Sequence, residues 1–111
     1  MDCFKWKVIS LISKSRIWIF MSELRHLNIK IKGRVQGVGF RYSALHAAKQ
    51  FGIKGYIRNM PDGSVYAEAE GSELQLKDFI NWCNEGPPRS KISHVSSIEG
   101  TVRLYAEFEI R

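Results

Sequence analysis

Cysteine is scarce in this sequence of 111 residues: it has only Cys3 and Cys83. Two cysteines this far apart make no disulfide framework. Both are read as unpaired thiols, with Cys83 a core residue and the cytoplasm the expected location. His26, His46 and His94 stand apart from one another and from Cys83, so no metal site and no other cofactor is expected. No apolar run approaches the roughly 20 residues a membrane-crossing helix needs, so no membrane partner is expected either. The pattern Gly-x-x-x-x-Gly-Lys-Ser/Thr is missing, which argues against nucleoside triphosphate binding of that kind. Internal repeats and low-complexity tracts are also absent.

What is present is an ordinary globular composition. Hydrophobic residues make up 44% and charged residues 25%, which excludes a disordered chain. The length suits one domain whose core needs neither disulfides nor metals. The net charge of +6 is uneven. Within residues 1–20, Lys5, Lys7, Lys14 and Arg16 face Asp2 alone, so this stretch carries half of the excess. Its basic start and Val8–Ile12 hint at an export signal. Lys14 and Arg16 interrupt the apolar run, and no small-residue cleavage site follows. Met21 then precedes clear strand alternation. Residues 1–20 are therefore expected to be a leader or extension outside the fold, and residues 21–111 the domain. That body is only mildly basic, which suits an anionic substrate without separating a phosphate ester from a nucleic acid.

Leu27, Ile29 and Ile31 alternate with Asn28, Lys30 and Lys32, which predicts a strand with one buried face. Ala44, Leu45, Ala48 and Phe51 recur at helical spacing over 42–50, and Gly52 fits the position past the helix end. A second strand is expected over 53–58. Met60-Pro61-Asp62-Gly63 reads as a turn, and 64–70 as the strand that completes a hairpin. The alternation leaves Glu68 and Glu70 as expected solvated residues. Ser72-Glu73-Leu74-Gln75 has the form of a capping box. Leu76, Phe79, Ile80 and Cys83 give the second helix its apolar face, and Gly86-Pro87-Pro88 stops it. Further strands are expected over 92–99 and, from the alternation of Val102, Leu104, Ala106, Phe108 and Ile110, over 102–110. The order is β-α-β-β-α-β with an extra strand near the end. It predicts an α+β, ferredoxin-like α/β sandwich, with two helices on one face of an antiparallel sheet. That fold hosts many functions, so function must come from a site.

The informative segment is Gly33-Arg34-Val35-Gln36-Gly37-Val38-Gly39-Phe40-Arg41, between a strand and a helix. Its glycines let the backbone curl and aim several N–H groups at one point, and the following helix adds its positive end. Arg41 stands at that junction, with a guanidinium able to grip two phosphate oxygens at once. Taken alone, the glycines could equally make only a tight turn, and Asn59 could be an ordinary turn residue.

Gly33 to Arg41 resembles one signature of the acylphosphatase family. Gly55-Tyr56-Ile57-Arg58-Asn59, followed by Asp62-Gly63-Ser64-Val65, resembles its second. The resemblance runs from about residue 29 to 95. It implies a ferredoxin-like hydrolase that splits the carboxyl-phosphate bond of acyl phosphates, releasing a carboxylate and inorganic phosphate without a metal. It places phosphate binding on Arg41, water orientation on Asn59, and the phosphate loop on Gln36, Gly37, Val38, Gly39 and Phe40. The expected partner is a small-molecule acyl phosphate, with no nucleic acid, acting on a monomer. Two alternatives are a non-catalytic phosphate or acyl-phosphate sensor and an RNA-binding ferredoxin-like module using Phe40, Tyr56 and Tyr66. His46 is expected as an exposed helix residue, and Trp82 and Tyr56 as packing residues.

Overall fold

The computed structural model describes residues 23–111, so the leader expected over 1–20 lies outside the described residues. Five strands and two helices follow in the order β1 (Arg25–Arg34), α1 (Phe40–Phe51), β2 (Lys54–Asn59), β3 (Val65–Gly71), α2 (Glu73–Glu85), β4 (Lys91–Gly100) and β5 (Phe108–Ile110). The sheet order is β4-β1-β3-β2-β5. Its pairs are antiparallel except for β2 with β5, which run parallel. This is the expected ferredoxin-like sandwich.

The period-two pattern of β1 sets the layers. Ile29 and Ile31 lie opposite Ala67 and Val65 of β3, and all four are fully buried. They form one core with Ala44, Ala47 and Ala48 of α1 and Leu76, Phe79 and Cys83 of α2. The small Ala44, Ala47 and Ala48 side chains let α1 lie close against the sheet. Trp82 is sandwiched between the Phe40 and Phe79 rings, at 5.3 and 6.3 Å, and Phe79 meets Phe108 edge-on at 5.8 Å.

The caps follow the sequence. The Ser72 side chain accepts the N–H of Gln75, and the Gln75 side chain accepts the N–H of Ser72, closing the capping box at α2. Helix α1 ends on Gly52 in the left-handed conformation. It begins at Phe40, two residues before the expected start.

Two expectations are corrected. Residues 102–110 are not one strand, because only Phe108–Ile110 pairs with the sheet. β4 and β5 occupy opposite edges, so the chain must cross the sheet between them. It crosses the face that lacks helices: Arg103 and Tyr105 give their backbone N–H groups to Glu70, and Leu104 takes a left-handed φ of 58°. The second correction concerns Glu68 and Glu70, which are not solvated. They are 9% and 1% exposed beneath this crossing segment. Alternation placed them on the face without helices, but the crossing segment covers that face.

Candidate active site

The topology brings three strand ends together. β1 and β2 are both antiparallel to β3, so they run the same way, and β5 is parallel to β2. Their carboxyl ends therefore point to one edge of the sheet. There, Val35 after β1, Asn59 ending β2 and Ile110 ending β5 line a single cavity of about 180 Å³. Gly37, Gly39, Phe40, Arg41 and Tyr42 complete it.

The loop from β1 to α1 curls through two left-handed glycines, Gly37 at φ 74° and Gly39 at φ 78°. Gly39 is the N-cap of α1, and no side chain caps the helix there. Its carbonyl accepts the first helical bond, from Ser43 at 3.0 Å. The N–H groups of Phe40, Arg41 and Tyr42 precede that bond and have no intrahelical acceptor. The first turn also carries no acidic residue. An uncapped helix start without a carboxylate, opening onto a cavity, is an anion-binding arrangement. Arg41 adds a fixed positive charge, and among the described residues no carboxylate lies within 4.0 Å of it.

Asn59 enters from β2. Its Oδ1 is buried and accepts no hydrogen bond, the one such side-chain atom among the described residues. Buried polar atoms are almost always paired, so an unpaired acceptor on a residue that lines a cavity marks a place for a donor.

Gln36 acts as a strut. Its side-chain amide donates to the carbonyls of Met60 and Ser64, at 2.8 and 2.9 Å, and locks the loop onto the β2–β3 turn. The turn is fixed in its own right: Gly63 N–H donates to Met60 O, and Asp62 accepts from both the hydroxyl and the N–H of Ser64. Those Ser64 bonds and the Lys30 ammonium at 3.0 Å hold the Asp62 carboxyl well below the usual carboxylate range.

Of the residues assigned to the site from sequence, Gly37, Gly39, Phe40, Arg41 and Asn59 come together around the cavity. Gln36 and Val38 do not line it; Val38 is a core residue and Gln36 holds the turn. Val35, Tyr42 and Ile110 line it without having been singled out. Tyr42 was within reach of sequence reasoning, being next to Arg41 in the first helical turn. Ile110 was not, because its place depends on the crossing segment. Cys83 is fully buried in the core on α2 and does not line the cavity, and burial pushes its thiol well above the ordinary range. Phe40 and Tyr56, two aromatics that an RNA-stacking sheet would display, are both buried.

Fold and cavity together define a small ferredoxin-like domain with a glycine-loop anion cradle, an arginine and an unsatisfied asparagine. The acylphosphatase family model matches residues 27–110. An acylphosphatase of Thermotoga petrophila is 46% identical over 88 residues, covering 79% of this chain and 98% of that protein. Among solved structures, an acylphosphatase from Coxiella burnetii superposes with a TM-score of 0.79 at 30% identity, covering 82% of this chain and 96% of the other. The Bacillus subtilis acylphosphatase gives 0.77 at 35% identity, covering 78% and 98%. The chain belongs to the acylphosphatase family.

Proposed function

We propose that this chain hydrolyses small-molecule acyl phosphates, with Arg41 and the N–H groups of the 36–40 loop holding the phosphate and Asn59 orienting the attacking water. The observation that carries the reading is that Asn59, whose Oδ1 is buried and unpaired, is one of the residues lining the same cavity as Arg41 and the uncapped start of α1.

A carboxyl phosphate is a mixed anhydride with a good leaving group, so its hydrolysis needs positioning and charge stabilisation more than a strong nucleophile. Phosphoryl transfer spreads charge over three equatorial oxygens. The Arg41 fork and the N–H groups of the loop and the first helical turn are preorganised donors for those oxygens, and one such donor is worth about 3 kcal/mol. The Asn59 amide does not titrate and is no base. Its oxygen accepts one hydrogen of a water and aims the water oxygen at phosphorus. A P–O bond to that water forms as the bond to the acyl oxygen breaks, and the electron pair leaves with the carboxylate. The water's proton passes to a phosphate oxygen, and inorganic phosphate is the second product. The Gln36 strut contributes by keeping loop and turn, hence Arg41 and Asn59, in register. The same proposal has a monomer acting in the cytoplasm on a free small molecule, with no nucleic-acid partner.

The test is hydrolysis of benzoyl phosphate in the presence of a chelator by wild type, Arg41→Ala and Asn59→Ala. The expected result is activity in wild type and at least a hundredfold loss in each variant. A folded wild type without activity would return the reading to a phosphate sensor. Inhibition of the chelated enzyme would overturn metal independence.

A further inference from the structure

We propose that Tyr42 and Ile110 form the acyl-group subsite of this cavity, selecting substrates whose acyl part is an apolar chain; this rests on the phosphate-end reading above. Among the described residues, the exposed large hydrophobic side chains are Tyr42, Leu74, Ile98, Leu104 and Ile110. Leu74 lies on α2, Ile98 on β4 and Leu104 in the crossing segment, and isolated surface hydrophobics need no explanation. Tyr42 and Ile110 differ. They are 65% and 37% exposed, and both line the cavity that holds Arg41 and Asn59.

Both side chains sit on fixed elements. Tyr42 stands in the first turn of α1, its ring edge-on to His46 at 5.1 Å and 65°. Ile110 lies in β5 opposite Ile57, and the N–H of Arg111 donates to Ile57 O at 2.8 Å. Apolar side chains carried on a helix and a strand need no backbone ordering when a ligand settles on them.

The charges around the mouth point to the same occupant. Arg41 is the one charged residue in the lining, and the phosphate takes it. Glu109 and Arg111 flank Ile110 but pair with each other at 2.9 Å, and Arg111 lies over the Tyr56 ring at 4.2 Å. Strand alternation directs both away from the face that Ile110 occupies. An acyl chain entering beside the bound phosphate therefore meets hydrocarbon and no second charge.

The experiment uses alkanoyl phosphates from acetyl to hexanoyl. Their parent acids have nearly equal acidity, so the bond broken stays constant while the apolar area grows. Burying one methylene fully corresponds to about a fourfold gain in affinity, and a half-open mouth to about twofold. We expect kcat/KM of wild type to rise about twofold per methylene from acetyl to butyryl. Tyr42→Ala and Ile110→Ser should flatten that slope, while the inhibition constant for inorganic phosphate stays within about threefold. Leu74→Ser, far from the cavity, should keep the wild-type slope. Should Ile110→Ser fail to fold, Ile110→Ala is expected to reduce the slope in its place. A flat series in a wild type that hydrolyses acetyl phosphate well would overturn this inference and leave the proposed function standing. A slope unchanged in both folded variants would also overturn it. A folded wild type that cleaves none of the series would remove the proposed function, and this inference with it.

Discussion

His26 Nδ1 lies 2.7 Å from Glu70 Oε2, the two residues being direct cross-strand partners on β1 and β3. They are 2% and 1% exposed. The Glu70 carboxylate also accepts the backbone N–H groups of Arg103 and Tyr105, so the pair fastens the crossing segment to the sheet. Next to it, Glu68 accepts the hydroxyls of Tyr56, Tyr66 and Tyr105. This buried polar layer matters to the active site because the crossing segment leads into β5, which carries Ile110 to the cavity.

Removing Glu70 should therefore cost more than a surface carboxylate does. Glu70→Ala takes the shared acceptor from His26 Nδ1 and from the N–H groups of Arg103 and Tyr105, and each group left unpaired costs about 1–3 kcal/mol. Urea unfolding should show that loss, with Glu109→Ala, on the exposed pair with Arg111, within about 0.5 kcal/mol of wild type. Equal losses in the two variants would refute the assignment of Glu70 as the fastener.

The same layer sets the acid response. Burial pushes Glu68 and Glu70 up. For Glu68 the bonds from Tyr105, Tyr66 and Tyr56 outweigh it, and for Glu70 those from Arg103 N–H, His26 and Tyr105 N–H do; both carboxyls end below their ordinary value. A carboxyl depressed in the folded state contributes stability above its unfolded value, about 4.3, and that stability disappears as pH falls through the folded value. Unfolding free energy should thus decline as pH drops below about 4.3. Glu68→Gln should show a shallower decline, because it has no proton to take up. Parallel pH profiles for wild type and variant would contradict this account.

Two glycines should respond differently to alanine. Gly39, at φ 78°, has no atom within 4 Å of where a Cβ would stand, so Gly39→Ala costs only left-handed strain, about 1–2 kcal/mol. Its methyl group would nevertheless project from the rim of the anion cradle. Gly55, at φ 144°, would drive a Cβ into the backbone oxygen of Glu68 on the paired strand. Gly39→Ala is expected to fold and lose most activity, whereas Gly55→Ala is expected to lose the fold. Thermal melts together with acyl phosphate hydrolysis distinguish the two, and a fully active Gly39→Ala would speak against the cradle.

Much of this was legible in the sequence because it is local. The alternation of Leu27 to Lys32, the Ser72–Gln75 box and the turn at 60–63 each specify their geometry within a few residues. Arg41 and Asn59, expected to work together, line one cavity because β1 and β2 run in the same direction. The failures are all non-local. Alternation assigned Glu68 and Glu70 to a face but carried no information about the segment, more than 30 residues later, that covers it. It also read 102–106 as strand, although that stretch has to cross from one sheet edge to the other and no strand there offers it a partner. Val38, expected as a backbone donor, packs its side chain in the core, which leaves that backbone role open.

Asn59 supplies the sharpest separation of activity from stability. Its Oδ1 is buried without a donor, and an unsatisfied buried acceptor costs about 1–3 kcal/mol. Asn59→Ala removes that acceptor along with a small part of the packing, so the two changes oppose each other. Unfolding free energy should stay within about 1 kcal/mol of wild type or rise, in contrast to the destabilisation most substitutions cause. Activity should fall at least a hundredfold, because the water loses its guide. The two readouts are urea unfolding and kcat/KM on benzoyl phosphate, measured on the same preparation. A variant that lost stability and activity in proportion would mean that Asn59 merely supports the fold. A stable, inactive variant is the result required if the unpaired oxygen is kept for the attacking water.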